Sequence, residues 1–351
     1  MNNYQPTPRV SRSNAGVIVA ATMALPIMGA EVQAQDTASP NSSDSASSSA
    51  FDGLLGRKNP NTIQLGGIFG EETLAVVGRA RAFGYVGPVV VNGTGVTSYG
   101  QFFRSQDGKF TQGSVDVSGS AMVDRYRIGE EAPATAVFND KVLALGPYLG
   151  VSSVGGDGNL QHQNIGVAGA EGLFMNGRFQ ANVKGGAIFY GSLDAKQGLT
   201  GDAHGGFVNA SASVDLVDIV DLPMGGHLVA IPRTSWSNVD RSLDVNVQGR
   251  NVKLGSDATT FGSGLTLVGD FGRWYAGVAG QASTTNVRST SSFGPSDNNS
   301  FTGWGVGAVG GYRISNQLML DLSGGYEQKD KIGGVVGGVA LRYILRSSKT
   351  D

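Results

Sequence analysis

The chain contains no cysteine, which excludes a disulfide scaffold, a thiolate zinc site and a thiol nucleophile. Charge is scarce as well: charged residues make up 15% of 351, against about 25% in soluble domains. The balance of 26 Lys+Arg against 28 Asp+Glu leaves a formal net charge of −2, so the basic footprint of a nucleic-acid binder is missing. Beyond the N-terminal segment no stretch approaches the roughly 18 consecutive apolar residues of a membrane-spanning helix. A mature chain of this kind can enter a membrane only as a closed barrel, because only helices and barrels satisfy every backbone polar group in lipid.

What the sequence has in excess is glycine, 55 of 351 residues, about twice the usual share of ~7%. Only 40% of residues are hydrophobic. A wall with one face toward lipid and the other toward a polar lumen averages to such a composition.

The first 34 residues predict a cleavable secretory signal peptide. Arg9 and Arg12 form its positive start, residues 15–30 are small and apolar, Pro26 breaks the run late, and Val32-Gln33-Ala34 places small side chains before a cut at Gln35. The alternative, an N-terminal membrane anchor, needs a longer and less interrupted run of about 20 residues. Residues 35–60 predict a Ser-rich linker, whose stretch DTASPNSSDSASSSA has little apolar surface to bury.

From about residue 83 the apolar period is two. Arg178, Gln180, Asn182 and Lys184 alternate with Phe179, Ala181, Val183 and Gly185. Leu318, Leu320, Leu322 and Tyr326 oppose Asp321, Ser323 and Glu327; Val208, Ala210, Ala212 and Val214 oppose Asn209, Ser211, Ser213 and Asp215. Val115, Val117, Ala121 and Val123 alternate with Asp116, Ser118, Ser120 and Asp124, and Leu243, Val245 and Val247 with Ser242, Asp244 and Asn246. A half-buried soluble sheet also alternates, but the number of such segments and their small polar inner face favour a transmembrane barrel. Asp270-Phe271-Gly272-Arg273 and Ser315-Asn316 predict tight periplasmic turns, with a long polar extracellular loop at 284–300 between the strands they bound. Tyr312, Tyr326 and Tyr343 fall near predicted strand ends, where interfacial aromatic girdles belong.

The segment GGVVGGVALRYILR (333–346) predicts the last strand. Its Gly338, Leu341 and Tyr343 resemble the glycine–x–x–hydrophobic–x–hydrophobic signal by which outer-membrane proteins are recognised by the barrel-assembly machinery; six residues follow Leu345 where that family usually ends on an aromatic.

The stretch 205–345 resembles the translocator β-domain of autotransporters. HLVAIPRTSWSNVD (227–240) carries Pro232 and then Ser235, Trp236, Ser237 and Val239; the next block carries Gly262, Gly264 and Leu265; the final meander matches the last four strands of such domains. The resemblance implies a secretion, surface-display or structural barrel without catalysis, with lipid, the general secretion machinery and the barrel-assembly machinery as partners. A long passenger is not evident between the cleavage site and the first clear strands, so a passive porin-like channel for small polar solutes is the alternative. The family's helix inside the pore finds its best candidate in EETLAVVGRARAF (71–83), acidic at Glu71 and Glu72 and basic at Arg79 and Arg81, as a helix dipole favours; the same segment also reads as a first strand or a solvated helix.

Other chemistry is weakly signalled. Gly305, Gly307 and Gly310 spell a dinucleotide fingerprint, but inside an alternating strand rather than at a strand-to-helix turn. His162, His204 and His227 lack metal spacing. Asp202 and His204 share one face of a strand, the basis of a third reading as an outer-membrane hydrolase. The sequence thus predicts an all-β, antiparallel up-and-down transmembrane barrel of about 12 strands over 111–346, preceded by a plug helix or first strands in 61–110 and followed by a tail at 347–351. Lumen-facing Arg178, Gln180, Asn182, Lys184, Asp321 and Glu327 would tune solute passage; no cofactor, metal or nucleic acid is expected.

Overall fold

The computed structural model describes residues 61–345 except 71–72, 87–88, 103–107, 128–139, 157–159, 177–178, 196–198, 217–219, 221, 248–249, 292–293, 316 and 330–331. Signal peptide, linker and tail therefore lie outside the described residues. The wall consists of β1 (Thr62–Gly70), β2 (Thr73–Val86), β3 (Val89–Phe102), β4 (Gly108–Arg127), β5 (Asp140–Gly156), β6 (Leu160–Asn176) and β7 (Phe179–Ala195). It continues through β8 (Leu199–Asp215), β9 (His227–Val247), β10 (Arg250–Asp270), β11 (Trp274–Ser291), β12 (Gly294–Arg313), β13 (Leu318–Lys329) and β14 (Ile332–Ile344). Each strand pairs antiparallel with its sequence neighbours, and β1 pairs with β14, closing the barrel. An even number of strands returns the chain to the end where it began: the Leu345 amide donates to the Asn61 carbonyl at 2.9 Å.

The barrel has fourteen strands rather than about 12, and residues 61–110, read as a plug helix or first strands ahead of a barrel at 111–346, hold its first strands, from Thr62 onward. The early strands show little polar alternation because both faces carry small or apolar residues: in VVVNGTGV of β3 the inward positions are Val90, Asn92, Thr94 and Val96 and the outward ones Val89, Val91, Gly93 and Gly95. Of the readings open for 71–83, strand holds and helix does not: the segment lies mostly in β2. Arg79 and Arg81, two residues apart, share the inner face of a strand, whereas on a helix they would diverge by about 200°. The stretch 284–300 is no loop either. Thr284 pairs with Thr302 and Arg288 with Asn298, up to a two-residue gap at 292–293. At that end of the barrel every connection is short; the wide gaps, 128–139 and 216–226, fall at the end that holds Asn61 and Leu345.

The outer face explains the polar length of these strands. A band of exposed apolar side chains circles the barrel, including Leu65, Val76, Val117, Leu145, Val183, Leu265, Val278, Leu322 and Leu341. Aromatic residues edge it. Phe179, Trp274, Tyr312 and Tyr343 stand toward the end holding the wall's termini, and Phe69, Trp236, Phe261, Trp304 and Tyr326 toward the other. Trp304 and Tyr312 are eight residues apart on β12, roughly 27 Å along a strand and about 20 Å of height at the usual tilt, close to the ~25 Å apolar band of outer-membrane barrels. Strands β9 and β10, at 21 residues each, run far beyond that band.

Above Trp236 and Phe261 the two faces exchange character. Asp240, Ser242, Asp257, Asn286 and Arg288 are exposed outside, while inside Ala258 and Val287 form a buried cluster with Phe301 against it, beside buried Val239 and the buried pair of positions Arg241 and Ser256. Ser242, expected on the inner face, is therefore outside. Around Val239, Ala258 and Val287 this raised wall has the polarity of a water-soluble sheet.

Glycine lets aromatic rings lie on neighbouring strands. A Cβ at Gly337 of β14 would stand 2.5 Å from Cε2 of Phe69 on β1, and one at Gly311 of β12 would run into the ring of Tyr275 on β11.

Candidate functional site

The inner wall is banded. Near the end holding the wall's termini it is mostly apolar: Val229, Ile231, Val268, Tyr275, Val309, Met319 and Ile344 form one cluster, and Phe83, Val90, Ala144, Leu173 and Met175 another. At mid-depth the inward positions turn polar and charged, on strands whose outward positions at the same height meet the apolar band.

One polar cluster spans β3 to β7. Glu171, 2% exposed, accepts hydrogen bonds from Asn92 Nδ2 at 3.2 Å, from Asn182 Nδ2 and from Ser118 Oγ, while Ser120 Oγ donates to its backbone carbonyl. Lys184, the register partner of Glu171 on β7, reaches Asp116 Oδ2 at 2.8 Å and lies over the Tyr148 ring at 5.1 Å. Tyr148 in turn meets Phe207 edge-on at 5.8 Å. Side chains three strands apart meet here across Gly146 of β5, the register partner of Glu171, which places no side chain between them.

The second cluster lies across the closing seam. Asp321 of β13 accepts from Arg342 Nε of β14 at 2.9 Å, from Tyr275 hydroxyl of β11 at 2.9 Å and from Gln64 Nε2 of β1 at 3.3 Å. Arg342 and Asp321 are 1% and 2% exposed. A buried pair of this kind loses about 3–5 kcal/mol when one partner is removed and the other stays charged. A third group lies on β9 to β11, where Arg233 Nη2 donates to Gln281 Oε1 at 3.3 Å.

Of the side chains expected in the lumen, Asn182 and Lys184 lie in the first cluster and Asp321 in the second. Gln180 and Glu327 occupy half-buried inward positions in register with them, and Arg178 lies outside the described residues. Sequence reasoning did not single out Glu171, Arg342, Gln64, Tyr275 or the inward placement of Arg79 and Arg81. The alternation of the last strand already sets Arg342 with Gly338 and Ala340, on the face opposite Leu341 and Tyr343, though not as part of a lumenal network. Gly338 faces inward, and Leu341 and Tyr343 face outward, on a strand hydrogen-bonded on both sides.

Gly305, Gly307 and Gly310 sit within β12, with no helix beside them. Asp202 and His204 are exposed on the outer face of β8, opposite the raised wall's Asp240. His162 is also exposed, and His227 Nδ1 lies 3.9 Å from Asp215 Oδ1. Among the described residues no group of three or more His, Asp or Glu side chains is placed to hold a metal ion.

No protein-family model and no curated protein matches the chain. Solved structures similar to it include autotransporter translocators. The translocator domain of NalP from Neisseria meningitidis is 13% identical, with 94% of this chain and 98% of that one covered, at a TM-score of 0.39. The transport unit of AIDA-I from Escherichia coli is 11% identical, with 88% and 98% covered, at a TM-score of 0.44. The ferric citrate transporter FecA is 9% identical at a TM-score of 0.43; 77% of this chain is covered, and it spans 44% of that chain's length.

Proposed function

We propose that this chain is an outer-membrane barrel that acts as a passive channel for small polar solutes, with its termini on the periplasmic side and the raised β9–β12 wall outside the cell. The observation that carries the reading is the polarity of the wall at mid-depth: Gln64, Arg79, Asn92, Asp116, Glu171, Lys184, Asp321 and Arg342 line its inside, where Leu65, Val117, Val183, Leu322 and Leu341 coat its outside. Charged and amide groups of this number are stable in a membrane only around water or one another. The alternative of a secretion or display barrel draws on the sequence resemblance of 205–345. The segment offered for its pore helix is part of the wall, which favours the channel. Export by the general secretion machinery and insertion by the barrel-assembly machinery belong to the same proposal.

The test is conductance of the detergent-folded, heat-modifiable full-length protein in a planar bilayer. A steady open conductance is the expected result. A barrel that inserts and stays closed at all voltages overturns the channel reading.

A further inference from the structure

The β13–β14–β1–β2 side of the inner wall holds a recess that the lumenal clusters leave unfilled. Register explains it. One row of inward positions reads Arg342, Gln64, Arg79; the next reads Asp321, Ala340, Gly66, Val77; the third reads Ser323, Gly338, Ile68. The middle of this patch, Gly66, Ala340 and Gly338, has almost no side chain, so a hollow opens there between Gln64 and Arg79 on one side and Asp321 and Ser323 on the other.

The charges around the hollow are not equivalent. The Asp321 carboxylate already accepts from Arg342, Tyr275 and Gln64. Arg79 lines the hollow with a buried Nε that has no hydrogen-bond partner among the described residues. The ionisable groups lining the hollow are Arg79 and Asp321, and Asp321 is already paired with Arg342 next to it. The local balance is therefore positive. The Arg79 guanidinium on one side of the hollow and the Ser323 hydroxyl on the other suit an oxyanion between them.

We infer that this recess is a lumenal subsite for a small oxyanion, the carboxylate of an organic acid or inorganic phosphate, with Arg79 as its cationic donor. The inference rests on reading the lumen as water-filled, and it makes the channel one that retains anions briefly at one wall.

The experiment is equilibrium titration of the detergent-folded full-length protein with succinate and, separately, with inorganic phosphate. It compares wild type, Arg79→Gln and Arg79→Lys, each first shown to be folded by heat-modifiable gel mobility. Saturable wild-type binding weakened tenfold or more in R79Q, with R79K in between, is expected. The anion that saturates at the lower concentration names the source. Equal binding by wild type and R79Q overturns the assignment, as does absence of saturable wild-type binding up to about 10 mM, a decade weaker than a millimolar site. Binding is read without current, so a closed pore that binds succinate through Arg79 refutes the channel and keeps the subsite, and an open pore indifferent to Arg79 does the reverse.

Discussion

Strands β9 to β12 carry two polarities along one continuous ladder. Within the aromatic girdles the outward positions are apolar and the inward ones include Arg233, Thr266 and Gln281; above Trp236 and Phe261 the outward positions include Asp240, Asp257 and Arg288 and the inward ones Val239, Ala258 and Val287, with Arg241 and Ser256 beside them. The backbone hydrogen bonding is the same in both halves. Alternation therefore fixes the strand, and its phase reports which solvent touches which face.

Moving or removing a charge tests this contrast. Arg342→Leu empties the inner face of a needed cation and should cost about 3–5 kcal/mol, since Asp321 remains charged and buried; urea unfolding in detergent measures it, and adding Asp321→Asn should recover most of the loss. Val278→Arg puts a cation on the outer face between the girdles, where about 2–4 kcal/mol is expected near the bilayer midplane; unfolding from vesicles gives the value. Glu171→Gln keeps the shape of the β3–β7 cluster but turns one acceptor into a donor facing Asn92, Ser118 and Asn182, for about 1–3 kcal/mol. Asn286→Arg, on the same strand and face as Val278 but in the raised wall, should stay within about 0.5 kcal/mol of wild type. A large loss at Asn286 would mean that the lipid boundary lies above Phe261 and that the inversion has another cause.

The same contrast explains what could be read in advance. Period-two alternation located β7, β8 and β13, because Asn182, Asn209 and Asp321 oppose Val183, Val208 and Leu322 on strands that stand between lipid and lumen. The hairpin of β11 and β12 was taken for a loop because Thr284, Asn286, Arg288 and Asn298 are polar, and polarity outside the membrane carries no mark of pairing. β1 to β3 are obscure for the opposite reason: Gly66 and Gly100 leave blanks on the inner face where polar residues would set the phase, and Gly93 and Gly95 leave blanks on the outer face where large apolar ones would. The lumenal network was half legible. Lys184 and Asp321 stood out as charges in apolar surroundings, while their partners Asp116, Arg342, Tyr275 and Gln64 come from strands as much as 257 positions away in the chain, a separation that no local pattern encodes.

The β1–β14 pairing differs from every other contact in the wall. Thirteen of the fourteen pairings join consecutive strands and can form as hairpins; this one joins Thr62 to Ile344. Its loop entropy falls due only at the last step of assembly. Until then the sheet has two open edges, and β1, at nine residues, offers the shorter template. Open edges recruit other chains, so the lifetime of the unsealed sheet sets how long the protein is exposed to misassembly. Once sealed, the wall is a ring without ends, in which Asn61 and Leu345 are neighbours and any short hairpin could serve as the break.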